Sequence, residues 1–416
     1  MKKLFPCLVC LGQLLICSPT VTTSQIVWQP TGFPGHGTIQ SLACNSSNHL
    51  FAGTDSAGIF RSTDNGASWI QVNSGLSFFN VLSLAIDSVG AVYAGTFLGG
   101  VFRSSDNGGA WTHVTTGMGN LIVSSLVTAS GGLIFAGTTS AGVYRSTNAG
   151  ASWTQVNTGL DPFINCLVID SRGVIFAGSN GGGIYLSTNS GTSWQQAGTG
   201  LHRSDVTSLA VSSDDILYAG SYFAGFARTT DSGANWTEGD TVLSRTNIAS
   251  IVVNSTGAVF AATSNGVLRS LNNGTTFLSV NSGLPNASVS SLGIDTFGYI
   301  FAGTARNGLF RTGQSTTSAR EDAPANPSVF SLDQNYPNPF NPSTTISFTI
   351  PPGTTVRASL RVYDVVGREV ATLVDGVEGP GYKSVQWNGT NVASGVYFFR
   401  LHAGDFVQTR KLVLVR

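Results

Sequence analysis

From residue 26 to residue 313 the chain alternates short apolar runs with polar turns rich in glycine. Residues 81–118 show the order in full: VLSLAI, the turn DSVG, AVYAGT, a turn at Gly99 and Gly100, VFRSS, the turn DNGG, and WTHV. The runs are rich in Val, Ile, Phe and Tyr and lack the 3.6-residue spacing of an amphipathic helix, so each is predicted to be a β-strand. The segment therefore predicts four strands, here called A to D, and no helix.

This four-strand unit repeats at an interval of 41 to 42 residues. Each repeat is marked by an aromatic residue at the start of strand D: Trp28, Trp69, Trp111, Trp153, Trp194, Trp236 and Phe277. Six copies carry the turn Ser-x-Asp-x-Gly-x-x-Trp before it, with Asn in place of Asp at 148, 189 and 272 and Thr in place of Ser at 229. A repeat of this length, built from short strands, predicts a β-propeller with four strands to a blade.

The repeated turn lies in the hairpin between strands C and D. Its Ser hydroxyl and its Asp or Asn side chain can bond backbone N–H groups, and its Gly can adopt the positive φ that such a turn needs. We expect a structural role for these residues, namely Ser62, Asp64, Gly66, Trp69, Ser104, Asp106, Gly108, Trp111, Asp231 and Trp236.

The two ends of the array are complementary. Residues 26–33 match the strand D pattern of residues 69–76 but have no preceding strands A to C, whereas residues 289–312 supply strands A to C and stop before a Trp. The sequence thus predicts seven blades, with the N-terminal strand around Trp28 completing the last one. Because a single blade exposes two apolar faces, it needs a neighbour on each side.

The regions flanking this array divide the chain further. Lys2, Lys3 and an apolar stretch to Cys17 predict a secretory signal peptide over residues 1–24, with a lipoprotein signal at Cys17 as the alternative. A propeller over 25–313 is followed by a polar linker over 314–328 and by a second domain over 329–416. Alternation in that last segment predicts six or seven strands and a small antiparallel β-sandwich, giving an all-β, Ig-like fold.

Charge and composition exclude several classes of partner. The 21 basic residues less Lys2 and Lys3 leave 19, against 21 acidic ones, so the processed chain has a formal net charge of −2. No lysine lies in the propeller segment, which argues against nucleic acid binding. The spacing of His and Cys indicates no metal site, and no cofactor motif or transmembrane segment of the mature chain is predicted. Cys44 and Cys166 fall in distant repeats, so no disulfide is expected.

The last 88 residues closely resemble the type A sorting domain of the type IX secretion system. The resemblance rests on YPNPFNPST (336–344), RVYDVVGREVATLV (361–374), GYKSVQWNGTNVASGVYFFRL (381–401) and RKLVLV (410–415). It implies that residues 329–416 engage the secretion machinery, that the protein reaches the outer-membrane surface or the medium by way of the periplasm, and that this domain is removed during export.

The repeated segment resembles the Asp-box (BNR) propellers, which include sialidases, xyloglucanases, sortilin-like receptors and photosystem II assembly factors. The resemblance implies a fold and not an activity, because the boxes are turns shared by proteins with different sites.

Catalysis is not favoured by the residues available. The arginines 61, 103, 145, 228, 269 and 311 occupy one repeated position on strand C, where we expect them to pack along the blade edge or near the Trp, and Glu238 is the only glutamate between 25 and 312. Nothing in the sequence pairs the candidate Asp residues off the motif turns as a glycosidase requires, namely Asp55, Asp161, Asp205, Asp214, Asp215 and Asp240. We therefore favour a non-catalytic binding propeller for a glycan or a protein. The alternatives are a polysaccharide-active hydrolase or lyase of unfamiliar site and an assembly factor.

Strand alternation places the D to A and B to C loops on one face and the A to B and motif turns on the other. The first face varies between repeats, and variable loops on a repeated scaffold are where binding residues are usually found. The ligand-binding candidates there are Phe97, Tyr222, Phe223, Phe163, Arg306, Asn307, Asp55 and His202. We expect Phe78, Phe79 and Phe163 to tuck under the loops, and Phe97, Tyr222 and Phe223 to be exposed.

Overall fold

A computed structural model describes residues 26–35, 37–197, 205–222, 225–285, 288–316, 330–332, 335, 340–351, 354–379 and 381–415. The expected signal peptide, His202, Phe223 and residues 336–339 lie outside the described residues. The chain divides into two compact units, one of which is Gln25–Ala319 and the other of which includes Arg320–Arg416.

Within its described residues, the first unit consists of seven four-stranded antiparallel sheets. In chain order the strands are β1 (Trp28–Pro30), β2 (Ile39–Cys44), β3 (Leu50–Thr54), β4 (Ile59–Ser62), β5 (Ile70–Gln71), β6 (Val81–Ile86), β7 (Val92–Thr96), β8 (Gly100–Ser104), β9 (Thr112–His113), β10 (Val123–Thr128), β11 (Ile134–Thr138), β12 (Gly142–Ser146), β13 (Thr154–Gln155), β14 (Ile164–Ile169), β15 (Ile175–Ser179), β16 (Ile184–Ser187), β17 (Gln195–Gln196), β18 (Val206–Val211), β19 (Leu217–Ser221), β20 (Gly225–Thr229), β21 (Thr237–Glu238), β22 (Ile248–Val253), β23 (Val259–Thr263), β24 (Gly266–Ser270), β25 (Leu278–Ser279), β26 (Val289–Ile294), β27 (Ile300–Thr304) and β28 (Leu309–Thr312).

Six sheets use four consecutive strands, from β2–β5 to β22–β25, and they are numbered one to six here. The seventh has the order β1-β28-β27-β26. Two single turns of 3₁₀ helix, Ser130–Gly132 and Thr241–Leu243, are the helical elements in the part of this unit that the structure describes. The repeated four-stranded sheets are those of a β-propeller.

Small residues in strand B allow neighbouring sheets to approach closely. Every strand B is buried along its whole length, as in VYAGT of β7. A Cβ added to Gly95 in β7 would lie only 2.6 Å from Val123 on strand A of the next sheet. A small residue at this position, Gly95 here and Ala262 in the sixth sheet, is therefore needed for close packing, because a larger side chain would push the two sheets apart.

The seventh sheet takes its fourth strand from the other end of the unit. Strand β1 pairs antiparallel with β28, in the register Trp28 with Thr312, Gln29 with Arg311 and Pro30 with Phe310. The Trp28 side chain is 2% exposed and packs with residues of the sixth and seventh sheets.

The chain stays in contact with the first unit beyond its last strand. The Thr316 N–H and hydroxyl both donate to the carbonyl of Gly298, at 2.8 and 2.9 Å. The Thr316 carbonyl accepts from Asn254 Nδ2 at 2.6 Å, and Thr316 itself is buried. The segment expected to be a linker from Gln314 therefore begins with residues that bind the A to B turns of the sixth and seventh sheets.

The second unit consists, in its described residues, of two antiparallel sheets around a common core. Its strands are β29 (Ser331–Leu332), β30 (Ser343–Ile350), β31 (Val356–Tyr363), β32 (Glu369–Glu378), β33 (Gly381–Asn388), β34 (Gly395–Ala403) and β35 (Phe406–Leu414). The sheet orders are β29-β30-β33 and β32-β31-β34-β35. Alternate residues of β31 and β34 point into the core, where Leu360, Phe399 and Leu401 are fully buried. The alternation of apolar and polar residues in these strands reflects one face turned to the core and one turned away from it.

Candidate functional site

Hydrogen bonds between loops define two opposite faces of the first unit. On one face the B to C loops bond the D to A loops, for example Gly58 N–H to the Phe79 carbonyl at 2.9 Å and Gly142 N–H to the Pro162 carbonyl at 2.8 Å. On the other face an A to B turn bonds a motif turn, as in Asn45 Nδ2 to Asn107 Oδ1 at 2.9 Å. We call the first the loop face and the second the motif face.

Each motif turn holds itself together through its own Ser and Asp side chains. The Ser62 hydroxyl donates to Asp64 Oδ1 at 2.8 Å and accepts the Gly66 N–H at 2.9 Å. Asp64 Oδ1 also accepts the Ser68 N–H at 2.8 Å, and Gly66 has φ of +84°. Equivalent bonds form in the turns that begin at Ser104, Ser146, Ser187, Thr229 and Ser270. The motif side chains are thus engaged within the turn.

These bonds favour the ionised form of the motif carboxyls. The hydroxyl of Thr229, together with donors from Asn235, lowers the pKa of Asp231 to about 2. Hydrogen bonds from Ser68 lower the pKa of Asp64, and the bond from Ser104 lowers that of Asp106. A general acid at neutral pH needs a raised pKa, so these carboxyls are unsuited to that role.

In four sheets the Trp that starts strand D bonds the preceding sheet. Trp111 Nε1 donates to the Val72 carbonyl at 2.7 Å, across the boundary between the first and second sheets. The same bond joins Trp153 to Val114, Trp194 to Val156 and Trp28 to Val280. Trp69 differs, because its Nε1 donates to the Gly66 carbonyl at 3.2 Å within its own turn.

In four sheets the arginine at the repeated position of strand C bonds the following sheet. Arg61 Nη1 donates at 2.7 Å to the carbonyl of Asn107, which lies in the motif turn of the second sheet. The same bond joins Arg145 to Ser190, Arg228 to Asn273 and Arg311 to Asn65. In these four sheets the guanidinium group holds the next motif turn, a contact that the sequence did not predict, whereas Arg103 Nε donates to the Tyr93 hydroxyl of its own sheet at 3.2 Å.

The loop face carries the candidate ligand-binding residues that the structure describes. Phe97 is 43% exposed, Phe163 is 47% exposed and Tyr222 is 51% exposed. Arg306 and Asn307 are exposed in the B to C loop of the seventh sheet, whereas Asp55 is half-buried and accepts the Ser56 hydroxyl at 2.8 Å. The candidates come from several different sheets and do not form one cluster of hydrogen-bonded groups among the described residues.

Three rings expected under the loops are exposed. Phe78 and Phe79 precede strand A of the second sheet, and both are exposed, as is Phe163. Sequence reasoning also passed over Leu98 and Leu121, whose side chains are exposed on the same face. The signal was present in the B to C loop TFLGG, where Phe and Leu replace the Asp and Ser of the first sheet.

The carboxyls considered for catalysis are largely committed to turns. Asp161 Oδ1 accepts the Phe163 N–H at 2.8 Å, and Asp240 Oδ2 accepts the Phe277 N–H at 2.8 Å. Asp215 accepts both the N–H and the hydroxyl of Ser171 on the motif face. Among the described residues no group of three or more His, Cys, Asp or Glu side chains is placed to hold a metal ion.

The two thiols of the first unit are unpaired and partly buried. Desolvation by the surrounding apolar side chains raises the pKa of Cys44 to about 11 and that of Cys166 to about 12. Both remain protonated at neutral pH, which makes them poor nucleophiles.

Residues 334–415 match the family described as the secretion system C-terminal sorting domain. The second unit is a type IX sorting domain. A tail of this kind indicates that the protein engages the type IX machinery and is exported to the cell surface or secreted. In the described part of the chain no helix has the length and hydropathy to cross a membrane. No curated protein matches the chain.

Solved structures similar to the chain share its propeller fold. The extracellular domain of the hybrid two-component system BT4673 from B. thetaiotaomicron is 15% identical with a TM-score of 0.60, and the match covers 95% of this chain and 60% of that one. PorZ, a surface component of the type IX secretion system of Porphyromonas gingivalis, is 18% identical with a TM-score of 0.54, covering 93% and 61%. YCF48 bound to D1 peptide is 16% identical with a TM-score of 0.58, covering 69% and 97%. At these identities the likeness shows the fold alone.

Proposed function

We propose that the first unit is an Asp-box propeller whose seven sheets form a closed ring of seven blades. Two contacts between the seventh and first sheets support closure. The Ser290 hydroxyl donates to the Ile39 carbonyl at 2.7 Å, as the Ser124 hydroxyl does to the Ile164 carbonyl between the third and fourth sheets. Arg311 bonds the motif turn of the first sheet as Arg61 bonds that of the second. The seventh sheet thus meets the first by the same kinds of contact that join the third sheet to the fourth and the first sheet to the second.

We further propose that this ring is a non-catalytic binding module that the sorting domain delivers to the cell surface or the medium. The observation that carries the proposal is the distribution of exposed rings. Of the six exposed Phe and Tyr rings in the described part of the first unit, Phe297 lies in an A to B turn of the motif face. The other five lie on the loop face: Phe78, Phe79, Phe97, Phe163 and Tyr222. Exposed rings of this kind stack on sugars or anchor apolar side chains of a protein.

The positions of the chain ends agree with this role. Strand β1 begins at the motif-face end of its sheet, because strand D follows the motif turn, and Thr316 bonds the A to B turn at Gly298. The first strand and Thr316 therefore both lie toward the motif face, opposite the loop face.

Hydrolysis and assembly are the competing functions. A glycosidase needs two carboxyls about 5 to 9.5 Å apart across a cleft, whereas Asp161 and Asp240 are bonded to backbone N–H groups here. An assembly factor would act through a protein partner, and the solved complex of YCF48 with D1 peptide shows that a propeller of similar size can hold a peptide. The ligand of the first unit can therefore be a protein as well as a glycan.

A binding experiment with the chain from residue 25 to residue 416 tests the proposal. The chain is applied to a glycan array and a peptide array, with a variant carrying Phe97→Ser, Phe163→Ser and Tyr222→Ser, and with Leu278→Ser as a control in an exposed position on an outer strand. We expect ligands that the triple variant loses and the control retains. Turnover of a polysaccharide would reject the non-catalytic function, and binding that the triple variant keeps would reject a binding site at these rings.

A further inference from the structure

Five exposed apolar side chains lie together on three successive loops of the loop face. Phe78 and Phe79 precede the second sheet, Phe97 and Leu98 form its B to C loop, and Leu121 precedes the third sheet. We call these five residues the loop-face patch. Their exposed fractions range from 37% for Leu121 to 54% for Leu98.

The three loops are held together by the backbone. Phe97 N–H donates to the Asn80 carbonyl at 2.9 Å, and Gly100 N–H donates to the Leu121 carbonyl at 2.8 Å. The ring of Phe78 covers Gly99 so closely that a Cβ at position 99 would lie 2.4 Å from it. The patch is therefore one preformed surface, and its side chains keep their relative positions.

Leu98 has a backbone conformation that is unfavourable for its side chain. Its φ is +67°, whereas every other non-glycine residue with positive φ in the described part of the chain is Asn, Asp, Ser or Ala. The equivalent position in the B to C loop of the fourth sheet is Gly181, with φ of +102°. Glycine at 98 would remove both the strain and an exposed apolar side chain, so neither stability nor solubility explains the leucine.

The chemistry of the loops indicates the partner. The loop sequences NSGLSFFN (73–80), TFLGG (96–100) and TTGMGNLI (115–122) contain no charged residue. An uncharged surface gives a charged ligand no counterion and desolvates it at a cost. Leu98 and Leu121 are aliphatic and cannot stack on a sugar ring, but they can pack against apolar side chains.

We propose that the loop-face patch binds an uncharged segment of polypeptide that covers Phe97 and Leu98 with its own apolar side chains. This inference rests on the proposed binding function and names its location and its class of partner.

The test uses the purified chain from residue 25 to residue 416 and synthetic twelve-residue peptides without charged residues. One set contains pairs of Leu or Phe, and the other contains only Ser, Asn, Thr and Gly. We expect binding of the apolar set, weakened at least tenfold by Phe97→Ser and by Leu98→Gly. Because glycine suits the φ at position 98, Leu98→Gly should unfold at the same temperature as the wild type or higher, which separates lost binding from lost structure.

Two controls locate the site. Phe297→Ser removes an exposed ring from the motif face, and Leu278→Ser removes an exposed leucine from an outer strand, so both should retain peptide binding. Peptide binding that Leu98→Gly leaves intact and Tyr222→Ser removes would overturn the patch while keeping the loop face as the binding surface. Binding on a glycan array without peptide binding would overturn the class of partner. Binding to neither array would reject this inference together with the proposed function.

Discussion

The motif turns show why Asp and Asn can replace each other along the repeat. In both residues Oδ1 accepts the hydroxyl two residues before it and the N–H four residues after it, as at Asp64 and Asn148. The second side-chain atom differs in role. Asp231 Oδ2 accepts from Asn235 Nδ2, whereas Asn148 Nδ2 donates to the Ser152 hydroxyl at 2.9 Å. The turn needs one acceptor oxygen, Oδ1, in a fixed place. The second atom of the side chain can be either the carboxylate oxygen of Asp or the neutral amide nitrogen of Asn.

This difference predicts an effect of acid on stability. The folded-state pKa of Asp231 is about 2, below the value of about 3.9 for an unfolded Asp, so its contribution is present above the unfolded pKa and is lost as the pH falls toward 2. In a chain with Asp64→Asn, Asp106→Asn and Asp231→Asn we expect the melting temperature to fall less between pH 5 and pH 2 than in the wild type. Circular dichroism during heating measures the melting temperature at each pH. An equal fall in melting temperature in the two proteins would contradict a stabilising role for the ionised Asp side chains.

At the scale of the strand, β1 is only three residues long but completes the seventh sheet. Three residues supply the edge of the seventh sheet, and Trp28 places an indole between that sheet and the sixth. Loss of this side chain should therefore affect packing at the site where the two ends of the unit meet.

Trp28→Ala is expected to destabilise the first unit by about 3 to 5 kcal/mol, as truncation of a buried Trp generally does. Val27→Ala, at the neighbouring exposed side chain, is the matched control and should change stability by less than about 1 kcal/mol. Urea unfolding of both variants gives the comparison. Similar losses in the two would show that β1 is not required at this junction.

The segment after β28 limits where the sorting domain can be removed. Since Thr316 is buried and bonded to Gly298 and Asn254, a protease cannot reach the backbone there without local unfolding. We expect the C-terminus of the processed form to lie between Thr316 and Leu332. Mass spectrometry of the surface or released protein determines it, and a terminus before Thr316 would contradict the expected protection.

The strands were predictable from the sequence because the period-2 and repeat patterns report burial directly. The motif turns were predictable because a Ser, an Asp and a Gly at fixed spacing have few other uses. The exposure of Phe78, Phe79 and Phe163 was not, since an apolar residue in a loop has the same appearance in the sequence whether it packs inward or outward. The bonds of Arg61 and Trp111 to neighbouring sheets were also missed, because they depend on contacts between repeats and not on the pattern within one.

At the scale of the whole molecule, the proposed binding function and the export signal belong to separate units. The sorting domain has its own core, which includes Leu360, Phe399 and Leu401, and the residues of that cluster that the structure describes all belong to the second unit. Export should therefore depend on the second unit, whereas the first unit should fold without it.

Deletion of residues 329–416 is expected to leave a folded propeller that accumulates in the periplasm, because the signal that engages the type IX machinery is gone. Cell fractionation and protease accessibility of the truncated and full-length chains measure this in a host that has the secretion system. Surface display of the truncated chain would contradict the sorting role, as would periplasmic retention of the full-length chain.

The hydrogen bond from Gly313 N–H to the Val27 carbonyl, at 2.8 Å, brings the two ends of the first unit together on the motif face. In the proposed ring, the contacts across that junction resemble those at the others. A circular permutant that joins residue 316 to residue 26 through a short linker and opens at another D to A loop should therefore adopt the same ring. The ring would then not depend on which blade contains the chain ends. A fusion partner could therefore be joined to the propeller at a chosen blade while the loop face stays available for binding.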